Sequence, residues 1–205
     1  MQLEVIYEDN HLLVVNKPGG LATQKHGEEK GLECVALDYL HTKFLEPIHR
    51  LDKPASGIVI FAKTSKALSR LQQQMREKKI KKTYYARVEG VPKQTSASLR
   101  HYLTHDEYRA NVTTKKDPKA KEALLDYIVV SCDEKSALLE IQLHTGRYHQ
   151  IRAQLAAIGH PIIGDKKYGA HKNLETIALT HVHVSFIHPV TKQSVSCQVS
   201  QYMQK

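Results

Sequence analysis

The chain has 205 residues, and 30 Lys and Arg against 21 Asp and Glu give it a formal net charge of +9. This length suits one domain of ordinary size with a substantial buried core. The excess of positive charge indicates a polyanionic partner rather than any particular fold. The three cysteines lie far apart without a CxxC pair, so neither a disulfide framework nor a zinc site is predicted.

The sequence has no pattern typical of membrane attachment or cofactor binding. It has no N-terminal signal pattern and no apolar run near the ~18 residues that a membrane-spanning helix needs. We therefore expect a cytoplasmic protein without membrane association. No glycine-rich phosphate loop, nucleotide motif or metal box occurs, so we expect no cofactor and no metal. A monomer is expected, although no pattern in the sequence fixes the oligomeric state.

A hairpin is predicted at the start of the chain. Leu3–Tyr7 alternates between apolar and polar residues, residues 8–10 form a turn, and Leu12–Val15 is an apolar run. The hairpin ends in a strong chain break at Asn16–Gly20. A short amphipathic helix is predicted from Leu32 to Leu40, where apolar residues recur at helical spacing.

A loop with a single carboxylate precedes a predicted buried strand. The strand is Gly57–Ala62, an unbroken apolar run rich in β-branched residues. The carboxylate is Asp52, which lies between Arg50 and Lys53. Nearby positive charge favours its ionised form, and an ionised acid on a rigid support can act as a nucleophile or base. The plainer alternative is a turn residue that bonds its own backbone.

A basic helix is predicted after this strand. It begins at a cap on Thr64 or Ser65 and runs to about Lys79. Cations near its end favour the helix macrodipole. Five cations within seven residues exceed what a dipole needs, and they favour contact with phosphates. They are Arg76, Lys78, Lys79, Lys81 and Lys82.

The second half of the chain is predicted to be rich in strands. These are Thr83–Val88, Ala123–Cys132, Ser136–His144, Ile177–His188 and Ser194–Val199. The polar stretch Pro92–Lys121 is predicted to be an irregular or hairpin insertion, either an arm that faces the polyanionic partner or a solvated loop. A helix is predicted up to Ile158, with Arg147, His149 and Arg152 in its first turns, a favourable place to hold an anion.

Three histidines near the end of the chain, His181, His183 and His188, raise the question of a metal site. Two of them share one face of an alternating strand. No carboxylate or cysteine is spaced to complete the ligand shell. A metal is therefore not predicted.

Three motifs resemble, in the same order, those of the RluA-type pseudouridine synthases. They are HRLDKPASG at residues 49–57, KTYYARVEG at 82–90, and LHTGRYHQIR at 143–152 with its tail IGHPIIGDKKYG. The opening VIYEDNHLLVVNKPGGL also resembles the start of that catalytic domain. The resemblance implies an α/β (α+β) fold with a central mixed, mostly antiparallel sheet and flanking helices. It also implies a single catalytic domain over residues 1–205, without a separate N-terminal RNA-binding domain.

The function implied by the resemblance is isomerisation of uridine to pseudouridine in tRNA or ribosomal RNA. In the family, the acid of HRLD is the catalytic nucleophile, which here is Asp52. Tyr84 falls on the residue that stacks on uracil and assists proton removal. Arg152 falls on the arginine that pairs with the acid. The sequence leaves open whether Asp52 attacks the sugar, attacks the base or assists elimination.

Further residues are predicted to contact RNA. A base paired in a helix is out of reach, so the target uridine must be flipped out or lie in a loop, and Arg50 is expected to fill the vacated space. Lys17 is either a contact at the substrate's edge or a plain turn residue. The predicted RNA contacts are Arg50, Lys17, Arg76, Lys78, Lys79, Lys82, Arg147, His149 and Gln150.

Four positions depart from the family's usual pattern. They are Ala55 in place of Thr, Tyr148 in place of Thr or Ser, Gln154 in place of His, and Thr180 in place of His. None of them is one of the three predicted catalytic side chains. Because Thr180 replaces the family's histidine at this position, any role of that histidine is absent here.

Two other functions remain as alternatives at this point. One is a non-catalytic RNA-binding module with the same fold, and the other is a different RNA-modifying or RNA-cleaving enzyme. A hydrolytic glycosidase needs two placed carboxylates, and we recognise no second one in the three motifs. We also predict that replacing Arg152 lowers activity far more than it lowers stability.

Overall fold

The computed structural model describes residues 2–25, 27–172 and 174–199. The elements in chain order are β1 (Glu4–Glu8), β2 (Leu12–Lys17), α1 (Leu32–Leu40), β3 (Glu46–Pro47), β4 (Ser56–Ala62), α2 (Ser65–Arg76), β5 (Lys81–Glu89), β6 (Ser96–His105), β7 (Ala110–Thr113), β8 (Lys121–Cys132), β9 (Ser136–Leu143), α3 (Gln150–Ala157), β10 (Leu179–Ile187) and β11 (Ser194–Gln198). In these ranges no helix is both long and apolar enough to cross a lipid bilayer.

The chain divides into two compact units. Unit 1 comprises the chain up to Lys82 and again from Thr180 onward, and unit 2 comprises Thr83–Leu179. Unit 1 contains the HRLD loop, and unit 2 contains the other two motifs except Lys82.

Unit 1 is built around β4, which pairs with two longer strands. β2 runs antiparallel to it, with β1 antiparallel to β2 on the far side. β10 runs parallel to β4 and carries β11 as an antiparallel neighbour, while β3 also pairs with β4. Alternate residues of these strands point to one face, where helix α2 packs on them through Ala67 and Leu71. This core supports the strand that immediately follows the HRLD loop.

Unit 2 is a run of antiparallel strands in the order β5, β9, β8, β6, β7. A small apolar cluster joins its helix to its last hairpin. The cluster contains Leu103, Ala110, Ala123 and Ala153, with Tyr168 packed against it. Helix α3 is therefore held against the strands β6, β7 and β8.

Most predicted elements are confirmed, and two helix ends differ. Helix α2 ends at Arg76, three residues before the predicted Lys79, because Lys78 takes a left-handed backbone conformation with φ of 56°. Helix α3 begins at Gln150 because His149 has φ of 50°. The insertion 92–121 is a hairpin, β6 and β7, and the two-residue strand β3 was not predicted. The mixed, mostly antiparallel pairing that was predicted is confirmed, since β4 and β10 pair in parallel and the other strand pairs described above are antiparallel.

Candidate active site

A buried lysine holds the backbone of the HRLD loop in unit 1. Lys17 has no exposed surface. Its ammonium, which has three N–H donors, lies within hydrogen-bond distance of four backbone carbonyl oxygens, those of Pro18 at 2.9 Å, Leu21 at 2.6 Å, Lys53 at 3.3 Å and Ala55 at 2.6 Å. Burial lowers the pKa of Lys17 to about 8, against the opposing effect of the nearby Asp52 charge. The cation therefore lies beneath the loop and close to its carboxylate.

The other backbone groups of this loop are also bonded. The buried hydroxyl of Thr23 lies 3.1 Å from both the amide nitrogen and the carbonyl oxygen of Leu51. The amide of Gly20 donates to the carbonyl of Lys53 over 2.8 Å. Leu51 is itself buried, whereas the side chain of Asp52 is only partly buried. The loop is thus fixed on both sides of a carboxylate that solvent can reach.

A glycine allows strand β4 to start close to strand β10. Gly57 has φ of +111°, and a Cβ at this position would overlap the backbone carbonyl and amide of His181. Only glycine tolerates both conditions. One residue earlier, the hydroxyls of Ser56 and Thr180 lie 2.7 Å apart. Ser56 and Gly57 of the first motif therefore determine how closely the start of β4 approaches β10.

The first residue of the motif, His49, is held in its neutral form. Both ring nitrogens are buried and have no hydrogen-bond partner among the described residues, although part of the residue is exposed. Burial lowers the pKa of His49 well below its usual range, and the neighbouring His181 and Lys82 act in the same direction. The rings of His49 and His181 meet edge to face at 5.2 Å. His49 packs under the loop as an apolar group would.

In unit 2, the tyrosine pair of the second motif alternates as predicted for a strand. Tyr84 lies opposite Ile141 of β9, and Tyr85 lies opposite Glu140. Tyr84 is 6% exposed, while Tyr85 is half-buried with its hydroxyl 3.4 Å from the Glu140 carboxylate. Burial raises the pKa of Tyr85, and the Glu140 charge adds to the effect. The two side chains therefore occupy opposite faces of β5.

A buried carboxylate that the sequence analysis missed holds Arg152. Nε and Nη2 of Arg152 donate to the two carboxylate oxygens of Asp165 at 2.6 and 2.9 Å. Both side chains are almost fully buried, with exposed fractions of 4% and 1%. The guanidinium also lies over the ring of Tyr168, 5.0 Å from its centre. Asp165 belongs to the tail IGHPIIGD of the third motif, where the sequence analysis recognised no second placed carboxylate, and in the structure it pairs with Arg152.

The third motif shapes the loop before α3 with its own polar side chains. The amide oxygen of Gln150 accepts from the hydroxyl of Thr145 at 2.7 Å and from the amide of Arg147 at 3.0 Å. Its nitrogen donates to the carbonyl of Leu124 on β8 over 3.0 Å. Gln150 thus ties the start of the helix to the sheet, which explains why this glutamine is 2% exposed.

The predicted RNA contacts separate into exposed and buried groups. The exposed side chains are Arg50, Arg76, Lys78, Lys79 and Arg147. The buried side chains are Lys17, Lys82, His149 and Gln150. Burial favours a supporting role over direct contact for the second group, and their RNA contact stays a prediction.

No group of three or more metal-ligating side chains occurs among the described residues. Two of the three histidines considered in the sequence analysis contact other groups. Nε2 of His188 lies 2.8 Å from the Asp9 carboxylate, and Nδ1 of His181 lies 2.7 Å from the carbonyl of Ile58.

The sequence matches a known protein family over most of its length. Residues 11–157 match the family model described as RNA pseudouridylate synthase. The chain belongs to this family. The resemblance seen in the three motifs is therefore confirmed, and the family acts on RNA.

Relatives of similar sequence carry the same family name. A protein of Bacillus subtilis named as an uncharacterized RNA pseudouridine synthase is 34% identical, over 95% of this chain and 67% of the relative. The ribosomal large subunit pseudouridine synthase C of Buchnera aphidicola is 35% identical, over 93% of this chain and 64% of the relative. The chain thus spans about two thirds of the length of these RNA pseudouridine synthases.

Solved structures of the family share the fold. Human RNA pseudouridylate synthase domain containing 1 matches with a TM-score of 0.81 and 21% identity, covering 97% of this chain and 83% of the human chain. Human RNA pseudouridylate synthase domain containing 4 matches with a TM-score of 0.79 and 24% identity, covering 96% of this chain and 87% of the human chain. The α+β fold expected from the resemblance is confirmed for this RNA pseudouridylate synthase family member.

Proposed function

We propose that this protein isomerises uridine to pseudouridine in RNA, and that Asp52 is the group that acts on the target nucleoside. The observation that carries the proposal is the fixed loop. Its backbone is bonded to Lys17, Thr23 and Gly20, while the carboxylate of Asp52 remains partly exposed. A substrate can reach an acid held in this way, and the acid needs no reorganisation to react.

The residues of unit 2 take the roles that the family resemblance implies. Tyr84 stacks on the uracil, and Arg152 pairs with the carboxylate of Asp52. Burial and the two bonds to Asp165 support the second role, because they leave the guanidinium one orientation. An ordinary phenol, with a pKa near ~10, is a poor base at neutral pH, so stacking is the main contribution expected of Tyr84.

The proposed reaction conserves the atoms of the RNA. The bond between N1 of uracil and C1′ of ribose breaks, the base turns, and C5 bonds to C1′. The hydrogen on C5 is lost to a base, and N1 gains a proton. Because no water is consumed, a second catalytic carboxylate is not required, which agrees with the pairing of Asp165 to Arg152.

The proposed substrate is ribosomal RNA or tRNA. Relatives named as ribosomal large subunit synthases make ribosomal RNA the first substrate to test, with tRNA as the second. Exposed Arg50 fills the space left by the flipped uridine, and the exposed cations after α2 hold phosphates. We also propose that the protein is a monomer in the cytoplasm. Size-exclusion chromatography tests its oligomeric state.

The test is release of tritium from RNA labelled at C5 of uridine. Unmodified ribosomal RNA and tRNA transcripts are incubated with the wild type, Asp52→Ala and the control Lys53→Ala, which removes an exposed charge from the same loop. We expect release by the wild type and the control only. Release by Asp52→Ala would exclude the proposed role of Asp52. RNA binding without release by any protein would instead support a binding module.

A further inference from the structure

An exposed tyrosine in unit 2 has no role in the proposed chemistry. Tyr148 lies in the loop between β9 and α3, and 40% of it is exposed. Its ring stacks on the ring of the next residue, His149, with the centres 3.9 Å apart and the planes inclined by 17°. Among the described residues its hydroxyl makes no hydrogen bond. A large planar group is therefore presented at the surface.

The backbone makes this stack possible. Side chains of adjacent residues usually diverge, but His149 has a left-handed conformation with φ of 50° and ψ of 26°. Such a conformation is unfavourable for a residue other than glycine. It persists here because the surrounding loop is bonded through Gln150. Unusual backbone conformations of this kind occur frequently at functional sites.

The ring beneath Tyr148 is firmly anchored. His149 is 8% exposed, and its Nδ1 lies 3.0 Å from the hydroxyl of Tyr168. That hydroxyl accepts a hydrogen bond from the amide of Ala110 over 2.7 Å. The Tyr148 ring consequently rests on a fixed support, so that little conformational entropy is lost when a ligand stacks on it.

The surroundings of Tyr148 favour an anionic ligand with an aromatic part. Arg147, the preceding residue, is exposed, and its Nε donates to the carbonyl of Glu122 at 2.9 Å. The exposed ring of His105 lies 5.4 Å from Tyr148 at an angle of 54°. The nearby acid Asp106 already accepts from the amides of its own turn, at 2.7 and 2.8 Å. Aromatic faces beside cations are typical of surfaces that bind unpaired nucleotides.

We infer that Tyr148 forms a second base-binding site, on which an unpaired base of the substrate RNA stacks while Arg147 contacts its phosphate. The base is distinct from the target uridine, for which Tyr84 is proposed. The inference rests on the proposed function only in taking RNA as the ligand. Because every base has a π-face, the site is tolerant of sequence and selects for an unpaired nucleotide.

Equilibrium binding of a fluorescein-labelled single-stranded oligouridylate of ten nucleotides tests this site without turnover. The variants are Tyr148→Phe, Tyr148→Leu and Tyr148→Ala. Tyr39→Ala is the matched control, since Tyr39 is a tyrosine of similar exposure, 48%, in unit 1. We expect Kd to rise about 5-fold to 100-fold with Leu and Ala, and to stay near the wild-type value with Phe and in the control.

The leucine variant separates stacking from simple covering. If Tyr148 only shields His149 from water, leucine replaces it as well as phenylalanine does, and equal binding by these two variants would overturn the inference. Wild-type binding by the alanine variant would overturn it as well. The melting temperature of each variant shows whether a weaker complex has another cause.

Photocrosslinking provides a measurement that needs no substitution at Tyr148. The same oligonucleotide with 5-iodouridine is irradiated with Asp52→Ala protein, and the peptide adducts are located by mass spectrometry. An adduct at Tyr148 supports the site, and adducts only elsewhere contradict it. Since neither measurement uses turnover, failure of tritium release leaves this result unaffected, and loss of stacking leaves the proposed isomerase standing.

Discussion

Each unit holds a buried charge that supports a predicted catalytic residue or its loop, and the two charges have opposite signs. In unit 1 the ammonium of Lys17 lies under the HRLD loop and donates to backbone carbonyls. In unit 2 the carboxylate of Asp165 accepts two bonds from the guanidinium of Arg152. Lys17 therefore fixes a backbone, whereas Asp165 fixes a side chain.

This difference decides what happens when a functional side chain is removed. Without the Asp52 carboxylate, the carbonyl partners of Lys17 are still in place, so the loop keeps its support. Without Arg152, Asp165 is left as a buried charge that has lost its two bonds to the guanidinium. Removing the Arg152 side chain should therefore lower the free energy of unfolding more than removing the Asp52 side chain does.

The largest expected effect is loss of stability when the buried pair is broken. Arg152→Ala should lower the free energy of unfolding by about 3–5 kcal/mol, because Asp165 becomes an uncompensated buried charge. Asp52→Ala should lower it by less than Arg152→Ala does, because the Asp52 side chain is only partly buried and its loop is still held by Lys17. Urea unfolding checks both values. This revises the expectation from sequence that replacing Arg152 lowers activity far more than stability.

A double variant completes the comparison. Arg152→Met combined with Asp165→Leu should recover most of the stability lost by Arg152→Ala, since no charge is then left buried. Its activity should stay absent. Equal stability of Arg152→Ala and Asp52→Ala would contradict the different kinds of support described for the two units.

The next effect concerns the start of β4. Gly57→Ala should destabilise the protein by about 3 kcal/mol, from the strained φ and from overlap with the backbone of His181. Gly20→Ala is the matched control, because Gly20 also has a positive φ, +86°, but has open space around its Cβ position. Thermal and urea unfolding of the two variants should rank Gly57→Ala as the less stable. The reverse order would show that the two strands separate at little cost.

Removing the buried cation should have an intermediate effect. Lys17→Met leaves backbone carbonyls without a donor, which should cost about 2 kcal/mol. Activity should fall more steeply than stability, because the loop that carries Asp52 loses its support. Tritium release and urea unfolding measured on the same preparation give both quantities.

The pH dependence sharpens the prediction for Lys17. Burial sets its pKa to about 8 in the folded protein, against ~10.4 in an unfolded chain. Between these values only the unfolded chain keeps the proton, so the contribution of Lys17 to the free energy of unfolding rises with pH. Activity should fall over the same range as the ammonium loses a donor. Lys17→Met should show neither trend, so the difference between the wild type and this variant should change with pH. Parallel pH profiles of the two proteins would exclude this role of Lys17.

The smallest effect is expected from Thr23→Val. Valine has nearly the same shape but lacks the hydroxyl that contacts Leu51. The loss should be about 1–2 kcal/mol, since a buried amide and carbonyl lose their partner. Hydrogen exchange at the Leu51 amide reports the change locally, and unaltered protection would mean that this bond is dispensable.

Local patterns in the sequence predicted a large part of this molecule. The apolar run 57–62 and the alternation in 83–88 are strands as expected, and the acid of HRLD is in a loop that precedes a buried strand. The three motifs led to the family that comparison confirmed. These features depend on residues within one turn or one strand of each other, which a pattern can report directly.

The contributions of Lys17 and Asp165 were decided by the tertiary structure. Lys17 and Ala55 are 38 positions apart, and Arg152 and Asp165 are 13 apart. A lysine in a Pro-Gly turn reads as exposed, and only the pairing of β2 with β4 reveals that it is covered. By itself the sequence determined the family, the strands and the acid of the loop. The folded chain decided which charges are buried, because burial depends on contacts between distant segments that no local pattern records.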